Sequence, residues 1–205
     1  RETVRDFIVN QQFRRDIFVK GATSLSPMAL QRQWLDRRFV LSERRADVPM
    51  VVRGALGEGG LQAQIYDPLL EALAQGPKTV EQLLEATGLT MSRLQEALLV
   101  LTGNNVLQPC LEAAGDAARA SRTKAFNTVV MEEAQSAATL PALASPITGG
   151  GVFVSRFPLL FLLAAERDVQ PVQFAWDTLR AHQQSILRDG KGLETPEENV
   201  AAIQA

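Results

Sequence analysis

"TGLTMSRLQEALLVL", residues 87–101, is the stretch whose reading decides the fold. Gly88 suits the left-handed position that ends a helix, and Thr90 can cap the next one by accepting a hydrogen bond from an early amide. From there Met91, Leu94, Leu98 and Leu101 recur at helical spacing and form one stripe. Each contributes about 1.5–3 kcal/mol if fully buried. This is the turn and second helix of a helix-turn-helix. Upstream, Thr79-Val80-Glu81-Gln82 is a capping box that opens the preceding helix. Before it, Gly76-Pro77 stops a helix that Asp67 and Pro68 start and that carries Leu69, Leu70 and Leu73. "VLQPCL", 106–111, reads as a strand. Helix, helix, tight turn, helix, strand is the winged-helix order with a reduced wing.

On the N-terminal side, Val4, Phe7 and Ile8 share a helical face, and 13–19 reads as extended with Ile17, Phe18 and Val19 buried. Ser26 and Pro27 open a helix over 27–35. "RRFVLS" (37–42) and "PMVVRGAL" (49–56) read as two strands expected to pair. On the C-terminal side the pattern predicts a helix from 116 to 135, an apolar helix over 157–167, a longer one over 171–189 and a last one from Thr195-Pro196. The expected class is α+β, predominantly helical: a small mixed α/β region (1–55), a winged-helix subdomain (56–115) and a C-terminal helical region (116–205).

With 46% hydrophobic residues, the 205-residue chain can bury a real core, and 21 basic against 23 acidic residues leave no overall polycation. One cysteine, Cys110, and one histidine, His182, cannot build an internal disulfide or a zinc site. The longest apolar run, "FPLLFLLAA" at 157–165, is less than half of the roughly 20 residues that cross a bilayer. A soluble, cytoplasmic protein is expected, with no membrane partner. The opening at Arg1, directly in an amphipathic pattern, reads as a piece of something longer.

Chemistry-bearing candidates are few. Gly149-Gly150-Gly151 lacks GxGxxG spacing and reads as a tight turn rather than a cofactor loop. His182 continues the apolar stripe of Val172, Ala175, Trp176 and Leu179, as a core-edge residue. Cys110 lacks the electropositive setting of a reactive thiolate. Glu132-Glu133 and Glu197-Glu198 are adjacent, so the members of each pair diverge on a helix. No catalytic, metal or cofactor residue is assigned. Residues 1–55 hold 11 basic against 6 acidic side chains, among them Arg44, Arg45 and Arg53. Arg14, Arg15, Arg37 and Arg38 form the candidate basic contact surface for an acidic partner.

DNA binding requires cations facing phosphate. Residues 56–112 carry Lys78 and Arg93 against seven carboxylates, a net charge of -5. The face opposite the buried stripe holds Ser92, Arg93, Glu96, Leu99 and Val100, where a base-reading helix displays mainly Arg, Lys, Asn or Gln. These five residues form the candidate docking surface, and nucleic acid is not expected as the partner.

The phrase "LLEALAQGPKTVEQLLEATGLTMSRLQEALLVLTGNNVLQP" (69–109) resembles the dimerisation domains of small-molecule O-methyltransferases and the C-terminal part of bacterial methyltransferases that carry a methyltransferase regulatory domain. "VRDFIVNQQFRRDIFVK" (4–20), "FNTVV" (126–130) and "LPALASPITGGGVFVSRFPLLFLLA" (140–164) resemble further elements of the second group, which includes protein-lysine methyltransferases. The resemblance implies a non-catalytic regulatory or substrate-recognition region. Its partners would be its own catalytic domain, a protein substrate or a second copy. S-adenosylmethionine is expected only in a catalytic Rossmann domain absent from this chain, because no acidic-x-Gly-x-Gly stretch follows a strand. The competing readings are a winged-helix DNA-binding transcription regulator and an O-methyltransferase dimerisation region.

Overall fold

The computed structural model describes residues 18–54, 57–137, 139–188, 191–193 and 195–204, with Val4 and Ile8. The chain divides into two compact units, Arg1–Cys110 and Leu111–Ala205.

The first unit contains the winged helix. Helices α2 (Ala63–Ala74), α3 (Val80–Thr87) and α4 (Met91–Gly103) pack around Leu69, Leu70, Leu73, Leu83, Leu94, Leu98 and Leu101, all at most 1% exposed. Helix α1 (Pro27–Leu35) precedes them, capped by Ser26 with Pro27 at its first position. The local signals that begin and end α3 operate as expected. The Gln82 amide donates to Thr79 Oγ1 (3.1 Å), and the Thr79 amide to Gln82 Oε1 (2.9 Å). Gly88 ends the helix at φ 65°, a conformation that costs a Cβ-bearing residue about 1 kcal/mol or more. The Arg93 amide donates to Thr90 Oγ1 (3.4 Å) at the start of α4.

Helix α2 begins at Ala63, four residues before the expected Asp67-Pro68 start, and carries Pro68 inside it. An internal proline costs about 3 kcal/mol. Burial of Leu69, Leu70 and Leu73, at about 1.5–3 kcal/mol each, outweighs that cost.

The winged-helix sheet has the order β4-β1-β5, from β1 (Arg38–Leu41), β4 (Lys78–Thr79) and β5 (Leu107–Pro109). Its central strand therefore comes from upstream of the three helices. Phe39 is paired antiparallel with Lys78 on one side and with Pro109 on the other. With both edges occupied, β1 cannot pair with the 49–56 run as expected. That run instead supplies β2 (Val51–Gly54), which pairs with β3 (Gly57–Gly60), placing Arg53 opposite Glu58. Phe18 and Val19, expected to be buried, are 90% and 69% exposed and lie on no strand. The expected helix at 2–10 falls largely outside the described residues.

In the second unit, α5 (Asp116–Glu133), α6 (Arg156–Glu166), α7 (Pro171–Ala181) and α8 (Pro196–Gln204) enclose Val130, Met131, Leu159, Leu160, Leu163, Ala175, Leu179 and Ile203. Two short hairpins accompany them, β6 (Ala142–Ala144) with β7 (Gly151–Phe153) and β8 (Leu187–Arg188) with β9 (Lys191–Gly192). Of the triple glycine, Gly149 and Gly150 lie in the β6–β7 connection and Gly151 opens β7: the Ser145 amide donates to the Gly150 carbonyl, and the Gly149 amide to the Ser145 carbonyl. Helix α7 stops eight residues short of the expected 189. His182 is its exposed C-cap, and Gln183 turns into the left-handed region at φ 55° to start the path into β8.

Candidate functional site

Helix α4 turns Leu94, Ala97, Leu98 and Leu101 inward. Ser92, Arg93, Glu96 and Leu99 are exposed, so four of the five candidate docking residues share the outer face. Val100 differs, being half-buried against the core of the unit. Arg93 lies 3.7 Å from Glu96, one turn along, so the only cation of the face is matched by a carboxylate. Leu99 is 63% exposed in the middle of the helix.

Two structures flank this face. At the N-terminal half of α4, Arg93, Glu96 and Ala97 join Gln62, Ile65 and Tyr66 around a cavity of about 110 Å³. Burial, and secondarily the Glu96 carboxylate, push the Tyr66 phenol above its usual pKa. At the C-terminal end stands the β2–β3 hairpin. The Arg53 amide donates to Asn104 Oδ1 (3.2 Å), and Asn104 Nδ2 donates to the Val100 carbonyl (2.9 Å). A groove of about 540 Å³ lies there, lined by Pro49, Val51, Val52, Asn104 and Val106 together with Arg53 and Glu58. The sequence reading missed this hairpin, because "GEGG" has almost no strand propensity. The cross-strand Arg53–Glu58 pair (2.6 Å) was the available signal.

Arg37 and Arg38 sit elsewhere, where β1 meets the start of α3. The Arg37 carbonyl accepts from the Val80 amide (2.9 Å), and Arg38 lies opposite Thr79, next to Lys78 in the same strand. Arg14 and Arg15 lie outside the described residues. Several other cations are neutralised locally: Arg44 by Asp47 (2.7 Å), and Arg45 by Asp67 (2.7 Å) and Glu71 (3.1 Å). The incorporation of β1 alters the charge argument. Residues 1–110 carry 13 basic and 12 acidic side chains, so the unit that forms the winged helix is nearly balanced.

Among the described residues no cluster of His, Cys, Asp and Glu could hold a metal. The half-buried Cys110 thiol faces the Gln108 carbonyl at 3.9 Å. No helix among the described residues is long and apolar enough to cross a membrane.

Residues 62–101 match the family model of the DprA winged helix domain, which covers α2, the turn and most of α4. The chain is also 37% identical over 207 residues to the uncharacterized protein sll1526 of Synechocystis sp., across all of this chain and 41% of that protein. It thus spans about two fifths of the length of this relative. No solved structure matches.

These findings overturn the methyltransferase reading. The helix-turn-helix phrase matches the DprA winged helix rather than a methyltransferase regulatory or dimerisation domain, and the relative's description carries no methyltransferase. The setting from which S-adenosylmethionine and a catalytic-domain partner were expected is lost with it. The physical reason is that the 69–109 phrase is made mainly of short amphipathic helices and turns, whose spacing any three-helix core of this size imposes. What stands is an α+β, mainly helical chain that contains a winged helix.

Proposed function

We propose that this chain carries a winged-helix interaction module of a nucleic-acid-processing protein, and that the outer face of α4 contacts protein rather than base edges. The observation that carries the reading is Leu99, 63% exposed on a face whose one cation is already matched by Glu96. Desolvating leucine favours a protein partner, whereas a duplex would meet no free cation there. The nucleic-acid setting is supported by the match to a winged helix of a DNA-processing family. On this reading the module works in the cytoplasm.

A second reading, the DNA-binding regulator, is favoured by Arg37, Arg38 and Lys78 around the β1–β4 end and by the near balance of charge over residues 1–110. Fluorescence anisotropy of a labelled duplex separates the two. Protein contact through α4 predicts no saturable binding at low salt. Saturable, salt-sensitive binding that the Arg37→Ala/Arg38→Ala double variant weakens would establish the second reading instead.

A further inference from the structure

The second unit holds a cavity that the winged helix does not explain. It has a volume of about 290 Å³, near the lower end of the ~300–1,000 Å³ usual for small-molecule sites. Met131, Leu143, Leu162 and Pro146 supply its apolar lining, and Lys124 and Glu166 also border it. Two of the walls are tied together: Asn127 Nδ2 donates to the Ala144 carbonyl (3.0 Å), while the Ala144 amide donates to Asn127 Oδ1 (2.8 Å). One side chain thereby fastens α5 to β6 through both backbone groups of a single residue.

The two charged groups are exposed, and neither forms an ion pair among the described residues. Lys124 has no carboxylate within 4 Å among the described residues, and the positions three and four away along α5 hold Ser121, Asn127, Ala120 and Thr128. Glu166 is the last residue of α6, where the helix dipole disfavours a negative charge, and its carboxylate accepts a long hydrogen bond from the Thr128 hydroxyl (3.5 Å). Although both line one cavity, they do not close to within 4 Å of each other. An ammonium and a carboxylate held apart over an apolar floor complement a ligand that carries both opposite charges next to an apolar group.

We propose that this cavity binds a small zwitterion with an apolar side chain, an α-amino acid. Its carboxylate faces Lys124, its ammonium faces Glu166, and its side chain rests on Met131, Leu143 and Leu162. Isothermal titration of the 205-residue chain with L-leucine, L-methionine and L-phenylalanine tests this. Saturable binding of at least one is expected, weakened about tenfold or more in Lys124→Met and in Glu166→Gln. Both side chains are on the surface, so these variants should keep the fold, which circular dichroism checks. Isocaproate and isopentylamine, each lacking one charge of leucine, should bind correspondingly more weakly. No saturable heat with any of the three amino acids, or equal affinity for isopentylamine, overturns the proposal.

Discussion

Arg156, at the start of α6, holds three acceptors of the second unit with one side chain. Its guanidinium donates to the Ala134 carbonyl (2.7 Å), the Gln135 carbonyl (2.9 Å) and Gln184 Oε1 (2.7 Å). The two carbonyls follow the end of α5, where helical groups lack partners and the dipole favours a cation. Burial lowers the pKa of the guanidinium, but an arginine remains charged. Arg156→Ala should therefore cost about 2–3 kcal/mol in urea unfolding, and Arg156→Lys should recover only part of it, because an ammonium lacks the planar fork. A loss under about 0.5 kcal/mol would mean that water replaces all three contacts.

Tyr66 gives a pH signature in the first unit. Its raised folded-state pKa means that the folded chain keeps the phenolic proton at pH values where the unfolded chain has lost it. The associated stability is fully present below the ordinary phenol pKa of 10.0 and is lost as pH rises through the folded value. Stability measured from about pH 9 to 11 should fall more steeply for the parent chain than for Tyr66→Phe. Parallel curves would show that the burial of Tyr66 does not survive in solution.

Among the elements, those fixed by local chemistry were readable in advance. Thr79, Gln82, Gly88 and Thr90 set both ends of α3 and the start of α4 by contacts within four residues, and the inward stripe of α4 defined its outer face by subtraction. The partners of β1 were not readable, since Phe39 meets Lys78 and Pro109 some 39 and 70 residues away, and period-two patterning does not name a partner. The end of α7 misled because His182 continues an apolar spacing that the backbone abandons at Gln183. The half-burial of Val100 depends on neighbours outside α4, so helical geometry alone placed it too far outward. The β6–β7 turn combines a local demand with a distant one. Gly149 has φ 74°, and a Cβ there would lie 2.6 Å from Leu111 Cδ1, whereas Gly150 would meet nothing nearer than Thr148 Oγ1 at 3.8 Å. Gly149→Ala should cost about 1–2 kcal/mol and Gly150→Ala much less, read by thermal unfolding. Equal costs would place the strain elsewhere in the turn.

At the scale of the whole molecule, the division after Cys110 separates two cores. Leu83 and Leu98 belong to one, Leu160 and Ala175 to the other. Each unit has about a hundred residues, long enough to bury most of its apolar surface without help. Residues 1–110 and 111–205, produced separately, should each unfold in a single cooperative transition. Leu83→Ala in the first and Leu160→Ala in the second should each cost about 2–5 kcal/mol, because both side chains are fully buried and their removal leaves a cavity. A fragment that shows no cooperative transition would mean that its core is completed by residues beyond the Cys110 boundary. The winged helix would then not be a separable module, and duplex or partner binding would have to be measured on the intact chain alone.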